Sequence, residues 1–286
     1  MAILSTSSSQ TVLRPGNRVF NGGLVGTTPF VGSLDGATSN LAAAWSWNKR
    51  LLSSWTSGIV RCRTSAAGNA EQDIGTLSNG SLDTASELSF LAGNTGTNSK
   101  CYDQSGGGLF LSAAAANQPL LASGGVAQDG VQFDGSNYAM DTASISQSVL
   151  TDGTNIQVLA EVFVKNPPND GRFFDFGPDQ ISTWLPFSGT VYWDAPYPAA
   201  RISAATPSGI VGSWAVVSFE REGTTARVRV NGTVAITGTV SGTISATSVF
   251  RVGATTSGSS FFLGNLRNLI IWKDCVNPAT RAALLS

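Results

Sequence analysis

From Val126 onward, short stretches of alternating apolar and polar residues are cut by glycine, asparagine and aspartate. The breaks recur about every eight to twelve residues, the pattern of antiparallel strands joined by tight turns. Residues 226–236 are the plainest case: Val228 and Val230 alternate with Arg227 and Arg229, and Asn231-Gly232 supplies the positive-φ pair of a type I′ hairpin turn. Residues 158–165 also alternate, with Val158, Ala160, Val162 and Val164 on one face and Leu159, Glu161, Phe163 and Lys165 on the other. Further strands are predicted at 130–135, 172–177, 214–222, 250–253 and 266–272. That many short strands pack as two facing antiparallel sheets. The predicted class is all-β, a two-sheet antiparallel β-sandwich of jelly-roll type carrying one or two short helices.

The helices are predicted before the strands begin. Leu41, Ala44, Trp45, Leu52 and Trp55 recur at helical spacing, Trp47 and Leu51 adjoin that stripe, and Ser39 or Asn40 can cap it. The aromatic residues of this segment read as core. A shorter helix is predicted over 82–91, with Asp83 as its cap. Residues 1–38 are rich in Ser, Thr and Gly, contain Pro15 and Pro29, and show neither periodicity. They are expected to form an extended N-terminal arm, ordered only if it docks on something such as a neighbouring subunit. Residues 39–286 are expected to be one sandwich domain.

Composition removes whole classes of chemistry. The chain has no histidine, so Ser-His-Asp and Cys-His arrangements and most zinc sites are excluded. No metal or cofactor is expected. Cys62, Cys101 and Cys275 are an odd number without a CxxC pair, which fits folding in a reducing compartment. Seventeen basic residues balance eighteen acidic ones with no basic run, which argues against nucleic acid as a partner. The first residues lack the apolar core of a secretory signal, and no apolar run is long enough to span a bilayer.

The stretch from Trp45 to Leu120 contains EQDIG, LDTASELSF, CYDQSGGG and NQPLL in that order. This succession resembles the front half of the arabinofuranosidase B catalytic domain. The later run W-x-x-V-x-F, R-V-x-V-N-G and F-x-x-G-x-L-x-x-L-x-I-W resembles the second half of a laminin-G or pentraxin-type sandwich, so the resemblance implies a concanavalin A-like fold. In the arabinofuranosidase family a CCFDYG-like strand carries a disulfide beneath the sugar, a Glu nucleophile follows shortly, and an Asp acid lies near the last strands. The matching segment here is Arg172-Phe173-Phe174-Asp175-Phe176-Gly177, without either cysteine. Between Asp179 and Trp214 the only acid is Asp194, and between Glu222 and Asp274 there is none. A retaining glycosidase needs two carboxyl groups about 5–5.5 Å apart. The resemblance therefore implies the fold without the catalytic pair, and no catalytic residue is assigned.

Trp184, Tyr192, Trp193, Asp194 and Tyr197 crowd together with Pro186, Pro196 and Pro198. Sugar rings stack on aromatic faces while a carboxylate accepts from hydroxyls, so these five are the candidate carbohydrate contacts. The competing reading is that they plug one face of the sandwich or meet a neighbouring subunit. Asp103 and Asp73 read as turn-forming carboxylates, and the loop Asp134-Gly135-Ser136-Asn137 has oxygens that could bind calcium but is shorter than a dedicated ligand loop. Similar domains occur in bacteriophage virion proteins. With the low charge and the Ser/Thr-rich arm, that resemblance implies a non-enzymatic virion subunit: a capsid decoration, head spike or tail-associated protein. Its partners would be copies of itself and other virion proteins; the alternatives are a glycan-binding adhesin module with a host-surface glycan as partner, or an arabinofuranosidase-type glycoside hydrolase.

Overall fold

The computed structural model describes residues 30–177 and 180–276. The order of its strands follows from where apolar residues fall. In Ile156–Val164, Val158, Ala160, Val162 and Val164 all face the main core. That strand is hydrogen-bonded to Leu263–Trp272 on one side and Trp214–Glu222 on the other. The sheet continues from Trp214–Glu222 to Thr225–Val230 and Thr233–Thr239. The turn between the last two has Asn231 at φ 48° and Gly232 at φ 83°, the type I′ hairpin expected from the sequence. The far side of Leu263–Trp272 is shared: Val126–Asp134 pairs with its first half and Leu41–Ser46 with its second.

The second sheet runs Glu71–Ile74, Val60–Thr64, Gly96–Cys101, Leu111–Ser112, Met140–Asp141 and Phe250–Val252. It continues through Arg172–Phe176, Ile181–Phe187 and Thr190–Asp194 to Arg201–Ala205. Leu120–Ser123 bonds to both Gly96–Cys101 and Val126–Asp134 and so links the two sheets. All of these pairings are antiparallel. Aromatic rings lock the sheets face to face. Trp45 stacks on Phe250 at 5.9 Å, and Phe174 meets Phe219 edge-on at 5.5 Å, each pair drawing one ring from each sheet. Such contacts are worth roughly 0.5–1.5 kcal/mol beyond the area they bury.

The longer predicted helix is not there. Residues 41–46 form the strand Leu41–Ser46, and turns follow it. The reason is burial on both faces. Ala43 and Trp45 point into the main core, whereas Ala44 packs with Leu34, Ala37, Leu51, Leu52, Ile270 and Trp272 in a second apolar cluster. Pairing to Leu263–Trp272 then overrides the helix propensity of three consecutive alanines. The shorter helix does form, as Thr84–Leu91, and Asp83 caps it by accepting from the Ser86 amide.

Residues ahead of 39 pack against the sandwich. Leu34 and Ala37 are buried, the Trp272 indole donates to the Ala37 carbonyl at 2.8 Å, and the Phe30 ring lies under the Arg50 guanidinium at 4.1 Å. Asp35 fixes this segment by accepting from the amides of Gly32 and Ser53. The rest of the expected arm, residues 1–29, lies outside the described residues. No helix among the described residues is long and apolar enough to cross a membrane.

Candidate functional site

Adjacent strands of the second sheet bring polar residues into one line on its outer face. Arg61 sits between Asp73 and Lys100, and Ser112 joins Lys100 to Asp141. Arg251 lies between Asp141 and Asp175, Ser182 between Asp175 and Asp194, and Arg201 closes the line opposite Asp194. Neighbouring positions along each strand face inward: Cys62, Cys101, Leu111, Met140, Phe250, Phe174, Trp193 and Ile202 belong to the core. Period-two alternation thus produces a polar line crossing ten strands.

Three carboxylates of the line are held by arginines. Asp73 is bidentate with Arg61, Asp141 with Arg251, and Asp194 with Arg201, with shortest contacts of 2.7, 2.6 and 2.6 Å. The Arg61 guanidinium and the Tyr102 hydroxyl, which donates to it at 2.8 Å, hold the Asp73 carboxyl below its ordinary range. Asp194 is fully buried, accepts from Ser182 Oγ at 3.1 Å and lies 3.7 Å from Arg172 as well. Asp175, also buried, accepts through Oδ2 from the amide and hydroxyl of Thr256.

The candidate sugar contacts divide by strand parity. Trp184 and Tyr192 are cross-strand neighbours on the outer face, and with Tyr197, Phe187, Arg172 and Arg201 they line an open cleft of about 300 Å³. Trp193 points the other way. It is fully buried, its indole donates to the Glu220 carbonyl at 3.0 Å, and its ring packs on Phe174 and Phe219. Asp194 forms the floor beneath the cleft without reaching its surface. Arg172 lies 4.4 Å from the Trp184 ring centroid, and Arg201 lies 4.9 and 4.3 Å from those of Tyr192 and Tyr197. These cation–π contacts hold the rings in place. Tyr197 and Phe187 remain 40% exposed and present the accessible aromatic surface.

Phe187, Arg172 and Arg201 belong to this cleft and are absent from the candidates read from the sequence. Counting period two back from Asp194 separates Tyr192 from Trp193. The pairing of Arg172 with Trp184, however, depends on a register that no local pattern reveals.

The remaining acids singled out in the sequence are engaged in local hydrogen bonds. Asp103 accepts from four donors within its loop and the neighbouring strand. Asp134 accepts from the amides of Ser136, Asn137 and Tyr138 through one oxygen. Among the described residues, no group of three or more metal-type side chains converges.

Two facing antiparallel sheets with a polar outer face and an aromatic cleft define the class as a β-sandwich. Residues 127–280, more than half of the chain, match the concanavalin A-like lectin/glucanases superfamily, and the chain belongs to that family. Among solved structures it is similar to a GH54 α-L-arabinofuranosidase soaked with a cyclic sulfate inhibitor, at 14% identity and a TM-score of 0.63 over 89% of this chain. A mutant of a GH54 α-L-arabinofuranosidase soaked with 4-nitrophenyl α-L-arabinofuranoside matches equally. An arabinofuranosidase complexed with arabinofuranosyl-α-1,2-xylobiose matches at 13% identity and the same TM-score. The chain spans 64% of the length of these enzymes, and the likeness is one of fold. No curated protein sequence matches this one.

Proposed function

We propose that this chain is a non-enzymatic structural subunit of a bacteriophage virion whose concanavalin A-like face binds glycan. The observation that carries the non-enzymatic part is the state of Asp194. It is the sole acid between Asp179 and Trp214, and it is buried and clamped by Arg201. A nucleophile must reach the anomeric carbon, and a general acid must hold a proton near the leaving oxygen. A carboxylate beneath the cleft floor in a bidentate arginine pair does neither. The expected readout is no hydrolysis of 4-nitrophenyl α-L-arabinofuranoside; turnover abolished by Asp194→Asn overturns the reading.

Virion membership is supported by the near-neutral, charge-poor chain and by an odd number of cysteines with no CxxC pair. A weakly charged surface has little self-repulsion and suits packing against copies of itself and other virion proteins. Peptide mass spectrometry of purified particles tests this, since a chain found only in the soluble lysate is not a virion subunit. Glycan binding is favoured by the open cleft with exposed Tyr197 and Phe187. Many copies on one particle would convert weak single sites into useful avidity toward a host surface.

A further inference from the structure

The polar line on the second sheet has an aromatic platform at each end. One is the cleft of Trp184, Tyr192 and Tyr197. At the other end, Lys100 lies 4.0 Å from the Phe110 ring centroid and 5.5 Å from that of Tyr102. Phe110 is 39% exposed, and Tyr102 is anchored to Asp73 of the same line. Both platforms therefore stand on one face of one sheet.

Between them the line is roofed by a hydroxyl-rich loop. Thr256 is bonded to Asp175, and Arg251 donates to the carbonyls of Thr255 and Thr256, which sets the loop over the middle of the line. The hydroxyls of Thr255, Ser257 and Ser259 form an exposed cluster with mutual distances of 2.8–3.3 Å. From Lys100 to Arg201 the register crosses seven strand-to-strand steps. At about 4.8 Å per step this is roughly 30 Å, less whatever the sheet curves.

Resting on the glycan-binding reading of the cleft, we infer that the ligand is a linear, neutral polysaccharide held across the strands, with rings against both platforms and hydroxyls on the loop between. A single sugar cannot bridge that distance, and a chain of several can. Hydroxyl-to-hydroxyl hydrogen bonds and C–H stacking on aromatic rings suit an uncharged polyol. The ion pairs beneath hold the side chains still, so little rotamer freedom is lost on binding. Linking the two contacts through one ligand raises affinity as a tethered second site does, by about 100-fold over a single contact.

The test is a length ladder from monosaccharide to decasaccharide of xylan, arabinan, mannan and β-glucan on a glycan array. The full-length chain is compared with Phe110→Ala and Lys100→Ala, each checked for an unchanged thermal melt. Affinity that climbs about 100-fold with length, and falls to the short-chain level in either variant, supports the two-platform groove. Binding that is flat with length, or unaltered by both variants, overturns the groove and leaves the single cleft standing. Absence of binding to every member of the ladder overturns the groove and the glycan reading together.

Discussion

The carboxylate of Asp103 accepts the amide of Ala44 at 2.9 Å across 59 residues of sequence, joining a surface loop to the strand that carries Trp45. The same carboxylate accepts from the amides of Ser105 and Leu109 and from the Ser105 hydroxyl. Asp103 is 3% exposed, so its removal leaves buried donors without a partner. Each such donor costs roughly 1–3 kcal/mol. Asp103→Ala is expected to lower the unfolding free energy by about 3–4 kcal/mol, with Asp103→Asn losing less. Urea unfolding with an unchanged m-value checks this, and a loss below about 1 kcal/mol refutes it.

Val60–Thr64, Glu71–Ile74 and Gly96–Cys101 go unpredicted in the sequence, the strands at 158–165 and 266–272 are legible there, and Leu41–Ser46 reads as a helix. With Trp45 on the main core and Ala44 on the second cluster, the strand has no polar face. A run that is apolar on both sides loses its period-two signal, and chance spacing to Leu52 and Trp55 imitates a helix. The strand Ile156–Val164 is legible because Glu161 and Phe163 stay partly exposed while its valines are buried. Local alternation marks the strands after Val126, but Val60–Thr64 also alternates and goes unpredicted, because five residues are too short a run to separate from a turn-rich segment.

Glu87 makes stability depend on pH. It sits on the helix Thr84–Leu91, is 1% exposed, and Oε1 has no hydrogen-bond partner among the described residues. Burial pushes its carboxyl from an ordinary 4.5 up to about 7, and its charge in turn adds to the burial that pushes the Cys62 thiol up to about 12. The folded state therefore holds a proton that the unfolded state has released. The associated stability is fully present below pH 4.5, declines between 4.5 and about 7, and is absent above that window. The span corresponds to about 3 kcal/mol. Glu87→Gln should flatten this part of the stability profile and raise the melting temperature at pH 8. An unchanged slope between pH 5 and 7 contradicts the assignment.

Asp194 offers a sharper test because it touches two cations. Removing its charge leaves Arg172 and Arg201 facing each other across Ser182 without the carboxylate that now lies between them. Breaking a buried pair costs about 3–5 kcal/mol, and the lower figure applies because Arg201 is 31% exposed. Asp194→Asn is thus expected to destabilise by about 3 kcal/mol and to disturb Tyr192 and Tyr197, whose rings Arg201 overlies. Quenching of exposed-tyrosine fluorescence and urea unfolding should change together. A stable variant with an unaltered cleft would show that Asp194 does not position it.

The cleft was half visible in the sequence. The aromatic crowd is local, so Trp184, Tyr192 and Tyr197 stand out, but Arg172 reaches them only through the pairing of Arg172–Phe176 with Ile181–Phe187. Arg201 is seven residues from Asp194 and reaches it because a turn brings Arg201–Ala205 back in register. Cross-strand register is fixed by turn geometry and core burial acting jointly, and neither is written at the arginines themselves.

Arg221 links core chemistry to the cleft without touching any ligand. It is 1% exposed and donates to the carbonyls of Ala195, Gly223 and Gly242, and burial lowers its pKa. Ala195 opens the turn that carries Tyr197, and Gly242 approaches Pro196 and Ala199 of the same turn. The planar guanidinium can serve three carbonyls in fixed directions, which an ammonium on a flexible stem cannot. Arg221→Lys is therefore expected to cost about 2 kcal/mol of stability through lost buried hydrogen bonds. On the proposed glycan-binding role it should also weaken that binding about tenfold by releasing Tyr197, although residue 221 lies outside the cleft. Titration of Arg221→Lys and Tyr197→Ala with the same oligosaccharide checks this. The two losses should not add when the substitutions are combined, because both act through one ring. Fully additive losses would place Arg221 on a separate route, as a core residue with no hold on the site.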